Sequence, residues 1–150
     1  MRRATAVTLG LMALLATLWA FASPAAAAGR QVFRLTLTGA DPDGSGTALV
    51  KVKSQKGEVC YRIRVQRIGE PHEPAPGLGS AHIHLLSTGG IAVDLKAQFS
   101  EVDDDVFVAA GCVDADQSLL REIRRNPDAY YLNIHTMEFP GGALQAPLAS

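Results

Sequence analysis

The chain has 150 residues, of which 47% are hydrophobic and 19% charged, with two cysteines and a formal net charge of −1. That size and balance suit a single globular core and exclude a disordered or fibrous chain. A charge so close to neutral gives no overall attraction to nucleic acid or to an anionic membrane, so neither is an expected partner.

Arg2 and Arg3 precede an uncharged run from Ala4 to Phe21, and Ser23-Pro24-Ala25-Ala26-Ala27-Ala28 then supplies the small residues that signal peptidase needs. Residues 1–28 are therefore expected to be a cleaved secretory signal, and residues 29–150 a single exported domain with no membrane segment. Losing Arg2 and Arg3 takes two positive charges from the net of −1 and leaves the mature chain at −3.

Period-2 alternation then predicts strands. Phe33, Leu35 and Leu37 alternate with Arg34, Thr36 and Thr38, and Ala48, Val50 and Val52 with Leu49, Lys51 and Lys53. Val59, Tyr61, Ile63 and Val65 alternate with Cys60, Arg62, Arg64 and Gln66, and Ile91, Val93 and Leu95 with Ala92, Asp94 and Lys96. Turn-rich breaks separate them at residues 41–46, 54–57, 69–80 and 87–90. Strands of this kind need cover on one face and pair into two packed sheets. Asp41, Asp43, Ser45 and Gly46 match the first half of an EF-hand loop, but Val52 stands where its closing Glu belongs, so a hairpin turn is expected. Asp103-Asp104-Asp105 is expected to be a solvated loop. One helix follows: Asp116 caps it, Leu119, Leu120 and Ile123 form its apolar face, Arg121, Arg124 and Arg125 occupy its solvated C-terminal end, and Asn126-Pro127 stops it.

Three histidines sit in two strand-like phrases, Ala81-His82-Ile83-His84-Leu85 and Leu132-Asn133-Ile134-His135-Thr136. Residues two apart share a face of a strand, so all three imidazoles belong to the side away from the core, and neighbouring strands would let them meet on the outward surface. Neutral imidazole suits zinc, copper and nickel, and three His with an open position form a recognised ligand set. The ligands would have to converge with donor nitrogens roughly 3 to 4 Å apart, and Asn133, Glu73 or Asp94 are candidates to hold the other ring nitrogens. His72, in a Pro-rich loop, is expected to be exposed rather than a fourth ligand. Ser80 lies near His82 only in sequence, and no Gly-x-Ser-x-Gly elbow supports hydrolysis. In an oxidising compartment the two cysteines, Cys60 and Cys112, are expected to form one disulfide.

The ordered phrases Leu37-Thr38-Gly39-Ala40, Asp43-Gly44-Ser45-Gly46-Thr47-Ala48, Cys60-Tyr61-Arg62-Ile63, Ala81-His82-Ile83-His84, Asn126-Pro127, Tyr130 to Thr136, and Phe139-Pro140-Gly141-Gly142-Ala143-Leu144 together resemble the CHRD (chordin-type) domain. The resemblance implies an extracellular β-sandwich that binds rather than catalyses. The His-x-His phrase, the later strand His and the Gly-Gly segment also look like the copper half of Cu,Zn superoxide dismutase, a fold-level likeness. No histidine between His84 and His135 supplies that enzyme's bridging and zinc ligands. At the C-terminus Gln145 stands where CHRD domains usually carry Arg, and Pro147 suits a strand end or edge.

The sequence thus predicts an all-β fold, an antiparallel Greek-key β-sandwich with one short helix inserted before the penultimate strand. Its expected function is a secreted, disulfide-stapled, non-enzymatic binding or structural module for an extracellular ligand or protein. The alternative is a metalloprotein holding copper or zinc through His82, His84 and His135, with possible redox activity.

Overall fold

The computed structural model describes residues 29–149, so the expected signal at residues 1–28 lies outside the described residues. The elements run β1 (Arg30–Leu37), β2 (Ser45–Lys53), β3 (Glu58–Gln66), β4 (Ala81–Leu85), β5 (Ile91–Asp94), β6 (Ser100–Asp103), β7 (Val106–Asp114), α1 (Gln117–Arg125), a 3-10 turn (Pro127–Ala129), β8 (Tyr130–Ile134) and β9 (Leu144–Pro147). They form two antiparallel sheets, a five-stranded one ordered β1-β2-β3-β7-β6 and a four-stranded one ordered β5-β4-β8-β9. Strands far apart in sequence, β3 with β7 and β4 with β8, lie side by side because the chain crosses between sheets and returns, the connection of a Greek key. The helix precedes β8, the penultimate strand, as the sequence predicts.

Alternation decides which face of each strand is dry. Phe33, Leu35 and Leu37, then Ala48, Val50 and Val52, then Val59, Tyr61, Ile63 and Val65 are all buried, while the residues between them point away. The four-stranded sheet answers with Ala81, Ile83, Val93, Leu132, Ile134, Leu144 and Ala146. Each fully buried Leu, Ile or Val removes enough apolar surface from water to favour folding by about 1.5 to 3 kcal/mol, which is what holds the two sheets together.

Two strands carry no alternation of apolar and polar residues in the sequence. β7 contains the run Val106-Phe107-Val108-Ala109-Ala110 and forms through a nine-residue register with β3, and β6 pairs only with β7. Within that register Cys60 faces Cys112, and the two are joined by a disulfide spanning 52 residues of sequence. The Asp103 to Asp105 run forms the β6–β7 hairpin turn, with Asp104 and Asp105 in the turn itself. At the β1–β2 turn, Asp41 Oδ1 accepts the N–H groups of Asp43 and Gly44 at 3.0 and 3.1 Å, so its carboxylate organises the hairpin.

The helix begins and ends as expected: Asp116 accepts from the N–H groups of Ser118 and Leu119, and Leu120 and Ile123 are buried. One expectation needs correction. Arg124 is not a simple solvated helix end, because its Nη1 donates to Ser54 Oγ at 2.9 Å and ties the helix to the β2–β3 turn.

Candidate metal centre

β4 and β8 are antiparallel neighbours, with His82 opposite Asn133 and His84 opposite Tyr131. His135 lies one residue beyond β8, and its N–H donates to Ser80 O at 2.9 Å, which carries the pairing one step further. The parity of the two phrases therefore holds, and all three rings stand on the same side of the sheet. Ring centroids are separated by 5.0 Å (His82–His135), 5.5 Å (His82–His84) and 5.8 Å (His84–His135).

The expectation of an outward surface is corrected by burial. His82, His84 and His135 are 0%, 7% and 4% exposed, and Ser80, Asn133 and Thr136 beside them are buried as well. The face points away from the main core, but the chain folds back over it. Pro71 bridges to Thr136, the His72 N–H donates to His135 O at 2.9 Å, and the turn from Phe139 to Gly142 closes on Asn133 and His135. Long irregular connections have no periodicity from which this cover is readable.

Two backbone carbonyls set the tautomers. His84 Nδ1 lies 2.8 Å from Gly89 O, and His135 Nδ1 lies 2.9 Å from Pro140 O. A carbonyl oxygen only accepts, so in each neutral ring Nδ1 carries the proton and Nε2 keeps a bare lone pair. Both Nε2 atoms are buried without a hydrogen-bond partner, and so are both ring nitrogens of His82. His82 Nε2 lies 3.5 Å from Asp94 Oδ1, and that same oxygen accepts the N–H groups of Gly79 and Lys96 at 3.1 and 2.8 Å. Tyr131 stacks on His84 with centroids 5.2 Å apart.

Glycine conformations make these contacts possible. Gly89 sits at φ +68°, which turns the Thr88-Gly89-Gly90 segment so that its carbonyl meets His84. Gly142 sits at φ +126°, and a Cβ there would fall 2.1 Å from Asn133 Oδ1. Asn133 in turn donates through Nδ2 to Gly141 O at 3.0 Å, while its Oδ1 is buried without a partner.

Burial favours the neutral form of two of the rings, His82 and His135. Burial is the main cause that lowers the His82 pKa to about 4, with the neighbouring His135 adding to it and Asp94 opposing. Burial also lowers the pKa of His135, against the Pro140 carbonyl that favours its charged form. Neutral imidazole is the form that binds metal.

One ligand nitrogen from each of the three rings lies within 4.8 Å of the other two, so three imidazole donors converge on one spot, as a metal centre requires. Of the candidate supporting residues, Asp94 and Asn133 stand beside the cluster, whereas Glu73 is exposed in its loop and makes no contact with the rings among those described. His72 is exposed, as expected, and Ser80 meets His135 through its backbone. Sequence reasoning missed the Gly89 and Pro140 carbonyls; their signal was the Gly-containing turn a few residues after each histidine. A second group, Glu58 with Cys60 and Cys112, offers no thiolate because the two sulfurs are bonded to each other.

The sequence model of the CHRD domain matches residues 25–148, nearly the whole chain. The chain belongs to the CHRD-domain family. No curated protein and no solved structure matches this CHRD domain, so the likeness to Cu,Zn superoxide dismutase has no neighbour behind it. No helix among the described residues is long and apolar enough to cross a membrane.

Proposed function

We propose that this CHRD domain is an exported, non-enzymatic binding module whose cluster of His82, His84 and His135 holds a single copper or zinc ion. One observation carries the reading: in a sealed cluster, the Nδ1 atoms of His84 and His135 are engaged by carbonyls while their Nε2 lone pairs are left facing no donor. A buried polar atom without a partner is costly, on the order of 1 to 3 kcal/mol, and a metal ion satisfies such lone pairs where no protein group does. Holding the far ring nitrogen on a backbone carbonyl is also how metal-binding histidines are oriented. All-imidazole ligation suits copper or zinc over calcium or magnesium, which prefer oxygen. The near-complete burial of the three rings favours holding an ion over admitting a substrate.

Equilibrium dialysis against Cu(II) and Zn(II), followed by elemental analysis, tests the reading on the wild type and on the His82→Ala and His135→Ala variants. One equivalent bound by the wild type and a large loss in both variants supports it. Equal uptake by all three proteins overturns it.

A further inference from the structure

We infer that the outer face of the five-stranded sheet is a binding platform for an anionic polysaccharide. The register of β1, β2 and β3 places Arg30, Lys53 and Glu58 in one cross-strand row, Val32, Lys51 and Cys60 in the next, then Arg34, Leu49 and Arg62, then Thr36, Thr47 and Arg64. Cross-strand partners project to the same side, so six cations, Arg30, Arg34, Lys51, Lys53, Arg62 and Arg64, share one face. With Arg2 and Arg3 set aside, the chain has twelve Lys and Arg, so half of its cations lie on this face, against three of its 15 acidic residues, Glu58, Asp103 and Asp114. A chain that is acidic as a whole has segregated its positive charge onto one side.

The face is open and shaped. Arg30, Arg34, Arg62 and Arg64 are exposed, in contrast to the covered outer side of the other sheet. Among the described residues, Lys53 pairs with Glu58, while Lys51, Arg62 and Arg64 have no carboxylate within ion-pair distance. Between the cations runs a shallow groove of about 740 Å³ whose floor is Leu49, Ala110, Gly111 and the Cys60–Cys112 disulfide. The disulfide joins β3 to β7 under the groove and holds the platform in place before a ligand arrives, which lowers the ordering cost of binding. Along β3 the Arg62 and Arg64 positions repeat at roughly 6.8 Å, and neighbouring strands lie roughly 4.8 Å apart, a fixed grid of charge suited to a polymer of repeating carboxylate or sulfate groups.

Other polyanions fit less well. Tyr61 reaches the groove lining but is buried and belongs to the inward side of β3, so no aromatic face is exposed there for bases to stack on. The exposed large hydrophobic residues Leu86, Ile91, Val102 and Met137 all lie off these three strands, so the face has no side chain to insert into a bilayer. Its apolar residues Val32 and Leu49 are only half-exposed, so β1, β2 and β3 present no exposed large apolar or aromatic anchor of the kind around which protein interfaces are built.

Affinity measurements with dextran sulfate and polygalacturonate, at several salt concentrations, test this directly. Neutral dextran, duplex DNA and phosphatidylserine vesicles are run alongside. Binding to the two anionic polysaccharides should weaken as salt rises and fall on the order of tenfold or more in the Arg62→Glu/Arg64→Glu double variant. The charge-neutral Lys51→Gln/Arg62→Gln variant should show a smaller loss in the same direction, which keeps the test valid should the reversal variant fail to fold. His82→Ala should bind the polysaccharides as the wild type does. Unchanged affinity in folded double variants, equal binding of neutral dextran, or tighter binding of DNA or vesicles than of either polysaccharide would overturn the inference.

Discussion

Replacing His82 by Leu should stabilise the metal-free protein while abolishing metal uptake. The wild-type ring is fully buried with neither nitrogen hydrogen-bonded, so its removal relieves an unsatisfied polar group worth about 1 to 3 kcal/mol. Leu is close to His in volume, and repacking its different shape takes back roughly a kilocalorie, leaving a net gain of about 1 kcal/mol near pH 7.5. Acid should widen the gap. With a folded pKa of about 4 against the ordinary 6.5, the unfolded chain takes up a proton on His82 that the folded chain refuses. The proton-linked part of the His82 cost is therefore absent above pH 6.5, where only the unsatisfied ring counts, and it grows as pH falls from 6.5 towards 4. At pH 5 the cost to the wild type is about 2 kcal/mol, absent from the variant. Urea denaturation followed by far-UV circular dichroism, in chelator, at pH 7.5 and pH 5, measures both numbers. A variant less stable than the wild type at both pH values, with a constant gap between them, would refute the claim that this imidazole is kept neutral and unsatisfied.

Asp94→Asn should leave the fold intact and lower metal affinity about 10- to 100-fold, read by chelator competition, because the Asp94 carboxylate, 3.5 Å from His82 Nε2, is the group placed to hold that ring when its other nitrogen binds metal. Gly142→Ala drives a Cβ into Asn133 Oδ1 at a positive φ and should cost about 2 kcal/mol or more in a thermal melt, with a matching loss of metal. Cys60→Ala/Cys112→Ala removes a cross-link over 52 residues and should lower stability by up to about 4 kcal/mol in urea, with metal stoichiometry unchanged. Saturating metal at about 100 times its dissociation constant should raise wild-type stability by about 2.7 kcal/mol and leave His135→Ala where it was.

What was legible in the sequence was whatever obeys a short period. Phe33 to Leu37 and Val59 to Val65 announced their inner faces, and the parity of His82, His84 and His135 placed three rings on one side of β4–β8 before any coordinates. The Asp116 cap and the Asn126-Pro127 stop bounded the helix for the same local reason. β7 stayed hidden because its apolar run has no alternation and its existence depends on β3, more than forty residues earlier in the chain. The burial of the histidines was hidden likewise, since it rests on the Pro71–Thr136 bridge and on two carbonyls delivered by turns. Side-chain type cannot announce a backbone acceptor.

X-ray absorption at the metal edge of the copper- or zinc-loaded protein tests the central claim most directly. The account predicts three imidazole nitrogens at about 2.0 to 2.1 Å, falling to two in His84→Ala. A first shell made of oxygen, or a spectrum that His84→Ala leaves unchanged, would contradict it.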